Sequence, residues 1–137
     1  MSGTLRLKIV TPEGSLLDEE VASVTARSEV GEFCVLPEHC PILASLSAGR
    51  FIVEATDGSK TEYVVDSGFF EGGADHTSVI TQKCVATKDV NIDQVTAELD
   101  ALSKKISDLP EDDPDREELN LKINWAQAQI DSASTQI

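Results

Sequence analysis

The residues best placed to do chemistry lie between Cys34 and Cys40, where Glu38-His39-Cys40 offers either metal ligands or a Cys-His nucleophile pair. A metal site needs a second ligand pair, which is missing, and the other histidine, His76, falls in a different turn region. The plainer reading is small buried thiols and one loop histidine. With 25 Asp and Glu in the chain, a carboxylate pair for acid–base work can be drawn almost anywhere, so such a pair carries no information and an acidic run reads as a solvated face. Neither G-x-x-x-x-G-K-[ST] nor G-x-G-x-x-G occurs, which argues against nucleotide hydrolysis by this chain alone. No catalytic residue, metal site or cofactor is therefore assigned. Trp125, the single tryptophan, is a packing residue or, on an exposed helix flank, an interface anchor.

The chain that must position these residues has 137 of them, enough for one domain with an appendage. Its formal net charge of -14 sets it against phosphate backbones and anionic lipid surfaces, so neither nucleic acid nor direct membrane insertion is expected. Hydrophobic residues make up 40% and charged residues 26%, a globular composition. No run approaches the roughly 18–20 apolar residues of a membrane span, and Met1 to Arg6 leads into strand pattern without an apolar signal segment, so a cytoplasmic location is expected. Three cysteines without a C-x-x-C pair point to a reducing compartment.

Up to about residue 89 the apolar residues alternate, as in Leu5, Leu7, Ile9 and in Phe51, Val53, Ala55. The turn sequences Thr11-Pro12-Glu13-Gly14, Asp57-Gly58 and Glu71-Gly72-Gly73 punctuate them, and Asp57-Gly58 is the strongest hairpin signal. Strands are expected at about 4–10, 20–28, 31–36, 48–56, 60–67, 69–72, 76–81 and 83–88, which requires two facing sheets. From about residue 90 the period changes. Asn91 and Gln94 resemble a capping box, and Ile92, Val95, Leu99, Leu102, Ile106 and Leu109 recur at steps of three and four. Pro110 ends this helix, and Asp113-Pro114 starts another whose seam is Leu119, Ile123, Ala126, Ile130 and Ala133. The expected architecture is an all-β sandwich at residues 1–89 followed by an antiparallel two-helix hairpin at 90–137, α+β as a whole. Each part carries a net charge of -7, so the shorter tail is the more acidic per residue. Narrow seams make the hairpin marginal alone, and hence either permanently packed on the sandwich or able to dock elsewhere.

Several blocks resemble the epsilon-subunit family of F-type ATP synthases: Val10-Thr11-Pro12-Glu13-Gly14, the run from Gly31 to Leu43, Gly49, and Ser67-Gly68-Phe69-Phe70-Glu71, with a two-helix tail of matching length. The resemblance spans essentially the whole chain, and the Gly31–Leu43 block is its most specific part. It implies a ten-strand sandwich with a helical hairpin, in a non-catalytic subunit of the rotating central stalk. The implied partners are the gamma subunit and the c-ring, across which proton translocation is coupled to ATP synthesis. The implied location is peripheral, on the cytoplasmic face of a bacterial inner membrane. Glu29, Glu32, Pro37, His39 and Pro41 match the family's ring-facing region. Glu38 stands where the family usually has Gly, and Cys40 where Ala is common.

The resemblance also implies that the hairpin can rise into the alpha/beta catalytic head and inhibit ATP hydrolysis, with Ile123, Trp125 and Ile130 as docking candidates here. Some family members bind ATP near an I/L-D-x-x-R-A motif and helix-two arginines. The matching stretch keeps Ile92, Asp93 and Ala97 but lacks the arginine, and helix two offers only Arg116 and Lys122, so weak or absent ATP binding is expected. Outside the family, composition also allows a free-standing acidic sandwich adaptor for a basic partner. An enzyme built on Cys34, His39 and Cys40 ranks third.

Overall fold

The computed structural model describes residues 4–38, 41–73 and 76–134. Ten strands come first: β1 (Leu5–Thr11), β2 (Gly14–Val21), β3 (Ser23–Ser28), β4 (Gly31–Val35), β5 (Ile42–Leu46), β6 (Gly49–Glu54), β7 (Lys60–Val65), β8 (Gly68–Gly72), β9 (His76–Thr81) and β10 (Cys84–Ala86). A short 3-10 turn at Thr87–Asp89 leads to two helices, α1 (Ile92–Ser107) and α2 (Asp115–Ser134). The strands join in one hydrogen-bonded path, β10-β7-β6-β3-β5-β8-β9-β1-β2, with β4 paired to β3. All pairings are antiparallel except β1 with β9.

The path closes into a sandwich because the inward residues of its two halves need each other. Leu5, Leu7 and Ile9 of β1, Phe70 of β8 and Val79 of β9 form one cluster with Val24 of β3, Phe51 and Val53 of β6 and Val65 of β7. Phe33 of β4 meets Phe70 edge to face, centroids 5.1 Å apart at 88°, and so pins β4 across the core. The two facing layers are thus one curled sheet, joined where Ser28 of β3 pairs with Leu46 of β5.

Two strands differ from the sequence expectation. The stretch read as one strand at 20–28 is the end of β2 plus β3, and β5 lies in a segment read without a strand. β2 is an edge strand whose side chains are nearly all exposed, so it shows no apolar alternation, and its pairing with β1 defines it instead. In β5 the inward positions Ile42, Ala44 and Leu46 alternate with Leu43 and Ser45, but one of the inward residues is small and one outward residue is a leucine.

The turn chemistry holds. At the Asp57-Gly58 turn, Gly58 has φ +88, and the Asp57 carboxylate accepts from the Ser59 amide at 2.9 Å and hydroxyl at 2.6 Å. These bonds hold the Asp57 carboxyl below its usual range. The Asn91 side chain accepts from the Gln94 amide at 3.1 Å, and Asp113 accepts from the Asp115 amide at 2.9 Å, so both helix starts are capped. In α1 the seam residues Val95, Leu99, Leu102, Ile106 and Leu109 are the less exposed ones, whereas Ile92, expected in the seam, is 41% exposed in the first turn. Arg116 Nη1 donates to the carbonyls of Ile106 at 2.7 Å and Leu109 at 3.1 Å, clasping the end of α1 to the start of α2.

Gly68 sits where β8 meets β9 so closely that a Cβ there would lie 2.1 Å from the Ile80 carbonyl oxygen and 2.9 Å from the Thr81 Cα. Both obstacles are backbone and cannot swing aside. Gly68→Ala is expected to destabilise the chain by roughly 2–3 kcal/mol. The check is a lower urea midpoint at an unchanged denaturant slope.

Candidate functional site

Strand alternation gives the sandwich two outer faces, and they differ. On β6 and β7 the inward set is Gly49, Phe51, Val53 with Val65, Tyr63, Thr61, leaving Arg50, Ile52, Glu54 with Val64, Glu62, Lys60 outward. This outer face is covered, because α2 packs on β6, β7 and the 3-10 turn. Val64 is fully buried although it lies outside the sandwich core cluster. The buried residues of α2 are Ala126, Ala128, Gln129 and Ser132. Lys83 Nζ stands 6.0 Å over the ring of the half-buried Trp125. On the same outer face, Arg50 Nε faces Glu62 Oε1 at 3.6 Å, with the Glu62 side chain only 6% exposed.

The opposite outer face is open. Phe69 of β8 lies directly across from Ile80 of β9 and from Ser45 of β5, and Leu43 stands diagonally beside it, opposite Glu71. Leu43 is 74% exposed, Phe69 58% and Ile80 53%. Three large apolar side chains on neighbouring strands, flanked by Ser45, Glu71 and Ser78, form a patch of the kind that marks a protein interface. The sequence reading missed these residues. The two consecutive aromatics Phe69-Phe70 held the signal, since on a strand only one of them can face inward.

The ring-contact candidates divide between the ends of β4. Glu29, Val30 and Glu32 form the β3–β4 turn region, all exposed, with Val30 at 98%. Glu29 and Glu32 also line a cleft of about 630 Å³ with Arg27, Arg50 and, from α2, Asn124 and Asp131. Pro37 and Pro41 lie past the other end of β4, five and nine residues along the chain from Glu32. His39 and Cys40 fall outside the described residues. Glu38, where the resemblance led one to expect glycine, has φ 64, a left-handed turn that glycine would favour and that costs a glutamate about 1 kcal/mol.

The hairpin docking candidates do not share one face. Ile123 and Ile130 are half-buried in the seam, as expected, whereas Trp125 belongs to the side turned to the sandwich. Ile92, Asp93 and Ala97 are exposed on α1. The cations of helix two are engaged, Arg116 with the α1 carbonyls and Lys122 with Glu118 at 3.5 Å. Among the described residues no group of three or more His, Cys, Asp and Glu could hold a metal, and no helix is long and apolar enough to cross a membrane.

Residues 4–87 match the family described as "ATP synthase, Delta/Epsilon chain, beta-sandwich domain". The chain belongs to this family. It is similar to the ATP synthase epsilon chain of Trichlorobacter lovleyi, 35% identical over 76% of this chain and 78% of that one. It is likewise similar to the ATP synthase epsilon chain of Rickettsia africae, 33% identical over 79% of this chain and 98% of the relative. Its fold is that of a chain in the cryo-EM structure of the Euglena gracilis mitochondrial ATP synthase OSCP/F1/c-ring assembly, with a TM-score of 0.81 at 22% identity over 93% of this chain and 80% of that one. The epsilon-type fold expected from the sequence is therefore present, with the β4–β5 block and the tail in their expected order.

The thiols expected to be small and buried differ. Cys34 points outward between the inward Phe33 and Val35 and is exposed. Cys84 packs against the core, and burial pushes its thiol up to about 11 from 9.0. The folded state therefore keeps the proton longer than the unfolded chain does. Stability from this site is whole below pH 9 and is lost as the pH rises toward 11. In iodoacetamide labelling at about pH 8, Cys84 is expected to stay unmodified in the folded chain and to react in urea, while Cys34 reacts in both. Cys84→Ser should flatten the alkaline loss of stability.

Proposed function

We propose that this chain is a central-stalk rotor subunit of an F-type ATP synthase, seated between the gamma subunit and the c-ring, through which proton translocation is coupled to ATP synthesis. The observation that carries the reading is the family match over the strand region together with a sandwich that covers one outer face with its own helix and leaves the other apolar. On this reading gamma covers Leu43, Phe69 and Ile80, since the hairpin already occupies the opposite face. The ring's polar loops are met by the ends of β4, through Glu29, Val30 and Glu32 at one end and Pro37 and Pro41 at the other. The chain catalyses nothing itself. Residues 1–89 act as the torque-bearing body and 90–137 as a separable tail. The subunit sits peripherally on the cytoplasmic face of a bacterial inner membrane, held there by its partners.

Phe69→Asp tests the gamma face. Phe69 is an outward residue, so the fold should survive, while association with purified gamma should weaken about 30-fold, or ~2 kcal/mol. Unchanged affinity would remove this face from the interface. Purification of the chain with a different partner, or as a homodimer, would favour the acidic adaptor.

The hairpin is read as a movable inhibitor of hydrolysis. What supports this is that the buried α2 residues outside the α1 seam, Ala128, Gln129 and Ser132, include no large apolar side chain, and that the helix lies on the side away from the gamma patch. ATP is expected to bind weakly or not at all, because Arg116 and Lys122 are committed elsewhere. Deleting residues from Asn91 onward in the assembled complex should raise ATP hydrolysis severalfold; the same rate as the intact complex would leave the tail a static pad.

A further inference from the structure

Arg27 and Glu32 stand directly opposite each other in the β3–β4 ladder, at the spacing where a cross-strand ion pair forms readily. They do not pair. The Arg27 side chain runs the other way, across Gly49 at the start of β6, where a Cβ would lie 3.1 Å from Arg27 Cδ and 3.7 Å from its Cβ. Gly49 thus gives the arginine stem its room, and the Ser47 amide, donating to the Arg27 carbonyl at 3.1 Å, holds the preceding turn against β3. Among the described residues the Arg27 guanidinium makes no hydrogen bond and no ion pair, although Glu29, Glu32 and Asp66 line the same cleft of about 630 Å³. The far wall of that cleft is α2, through Ala128, Asp131 and Ser132 in its last turns.

The helix brings only negative charge to its wall. Asp131 accepts from Gln127 of its own helix at 2.9 Å, the last turn of α2 has no basic residue, and the helix dipole adds partial negative charge at this end. Ala128 and Ser132 beside it are nonetheless 8% and 4% exposed, so this end of α2 is seated and not held off by the three sandwich carboxylates. Of the two arginines that line the cleft, Arg50 faces Glu62, which leaves Arg27 to act between the walls. We propose that Arg27 is the counter-charge that seats the C-terminal turns of α2: by crossing Gly49 instead of pairing with Glu32, it places positive charge in the cleft where two acidic walls meet. Arg27 is exposed and touches no carboxylate, so its attraction is modest and screened by salt. The claim concerns the docked position of the hairpin, and stands apart from whether the hairpin leaves that position to inhibit hydrolysis.

The test is hydrogen exchange on the full chain, comparing α2 amides with amides of β1 and β9, which report the sandwich core. Arg27→Gln keeps most of the stem over Gly49 and removes the charge. It should lower the protection of the C-terminal half of α2 about threefold to fivefold and leave β1 and β9 as they were. Arg27→Lys keeps the charge and should keep most of the protection. Salt at about 0.5 M should lower α2 protection in the unaltered chain and in Arg27→Lys, but not in Arg27→Gln. Arg6→Gln removes a cation from the remote β1–β2 edge, where it pairs with Asp18 at 2.7 Å, and should not change α2. The proposal is overturned if Arg27→Gln leaves α2 protection unchanged or raises it, if Arg27→Lys loses as much as Arg27→Gln, or if salt acts equally on all three chains. An equal loss of α2 protection in Arg6→Gln would show an effect of net charge alone, and a loss shared by β1 and β9 would place the role of Arg27 within the strands; either result also overturns it.

Discussion

Every functional feature of this molecule depends on the contact between the two halves of one curled sheet. Phe51, Phe70, Leu5, Leu7 and Ile9 are fully buried in it, and they fix which side of each strand is dry. A one-residue slip in β8 would exchange Phe70 for Phe69 and turn the outer patch into core. Gly68 guards that register at the point where β8 and β9 come closest, since its missing side chain is what admits the Ile80 carbonyl. The Phe33–Phe70 contact extends the same constraint to β4, and with it to the segments at its two ends that carry Glu29 and Glu32 and Pro37 and Pro41.

Once the dry layer is set, the two outer faces take opposite characters. One carries Leu43, Phe69 and Ile80 into solvent, a patch of the kind that marks a protein interface. The other carries Arg50, Glu62 and Val64 and is covered by α2 of the same chain.

The hairpin shows the same economy of attachment within itself. Its helices are joined along Val95, Leu99, Leu102 and Ile106 on one side and Leu119, Ile123, Ala126 and Ile130 on the other, and Arg116 clasps the turn by donating to the carbonyls of Ile106 in α1 and Leu109 just past its end. The bonds that hold helix to helix are distinct from those that hold α2 to the sandwich. The arginine that a nucleotide site would ask for is occupied by this structural duty.

Local chemistry wrote much of this into the chain. The capped helix starts at Asn91 and Asp113, the Asp57-Gly58 hairpin and the helical seams are legible because each depends on residues a few positions apart. Edge strand β2 was not legible, because an exposed strand gains nothing from alternation and is held by its neighbour's backbone. Glu38 hid a glycine-like turn behind a residue that rarely adopts one, and Cys34 proved exposed because its neighbours Phe33 and Val35 had claimed the interior. The split of Glu29 and Glu32 from Pro37 and Pro41, the meeting of Arg50 with Glu62 on one outer face, and the pairing of Phe69 with Ile80 were decided only by tertiary structure. Sequence specifies spacing along the chain, whereas these features depend on which strands become neighbours and which face the helix covers, and both follow from the global burial of apolar area rather than from any local run of residues.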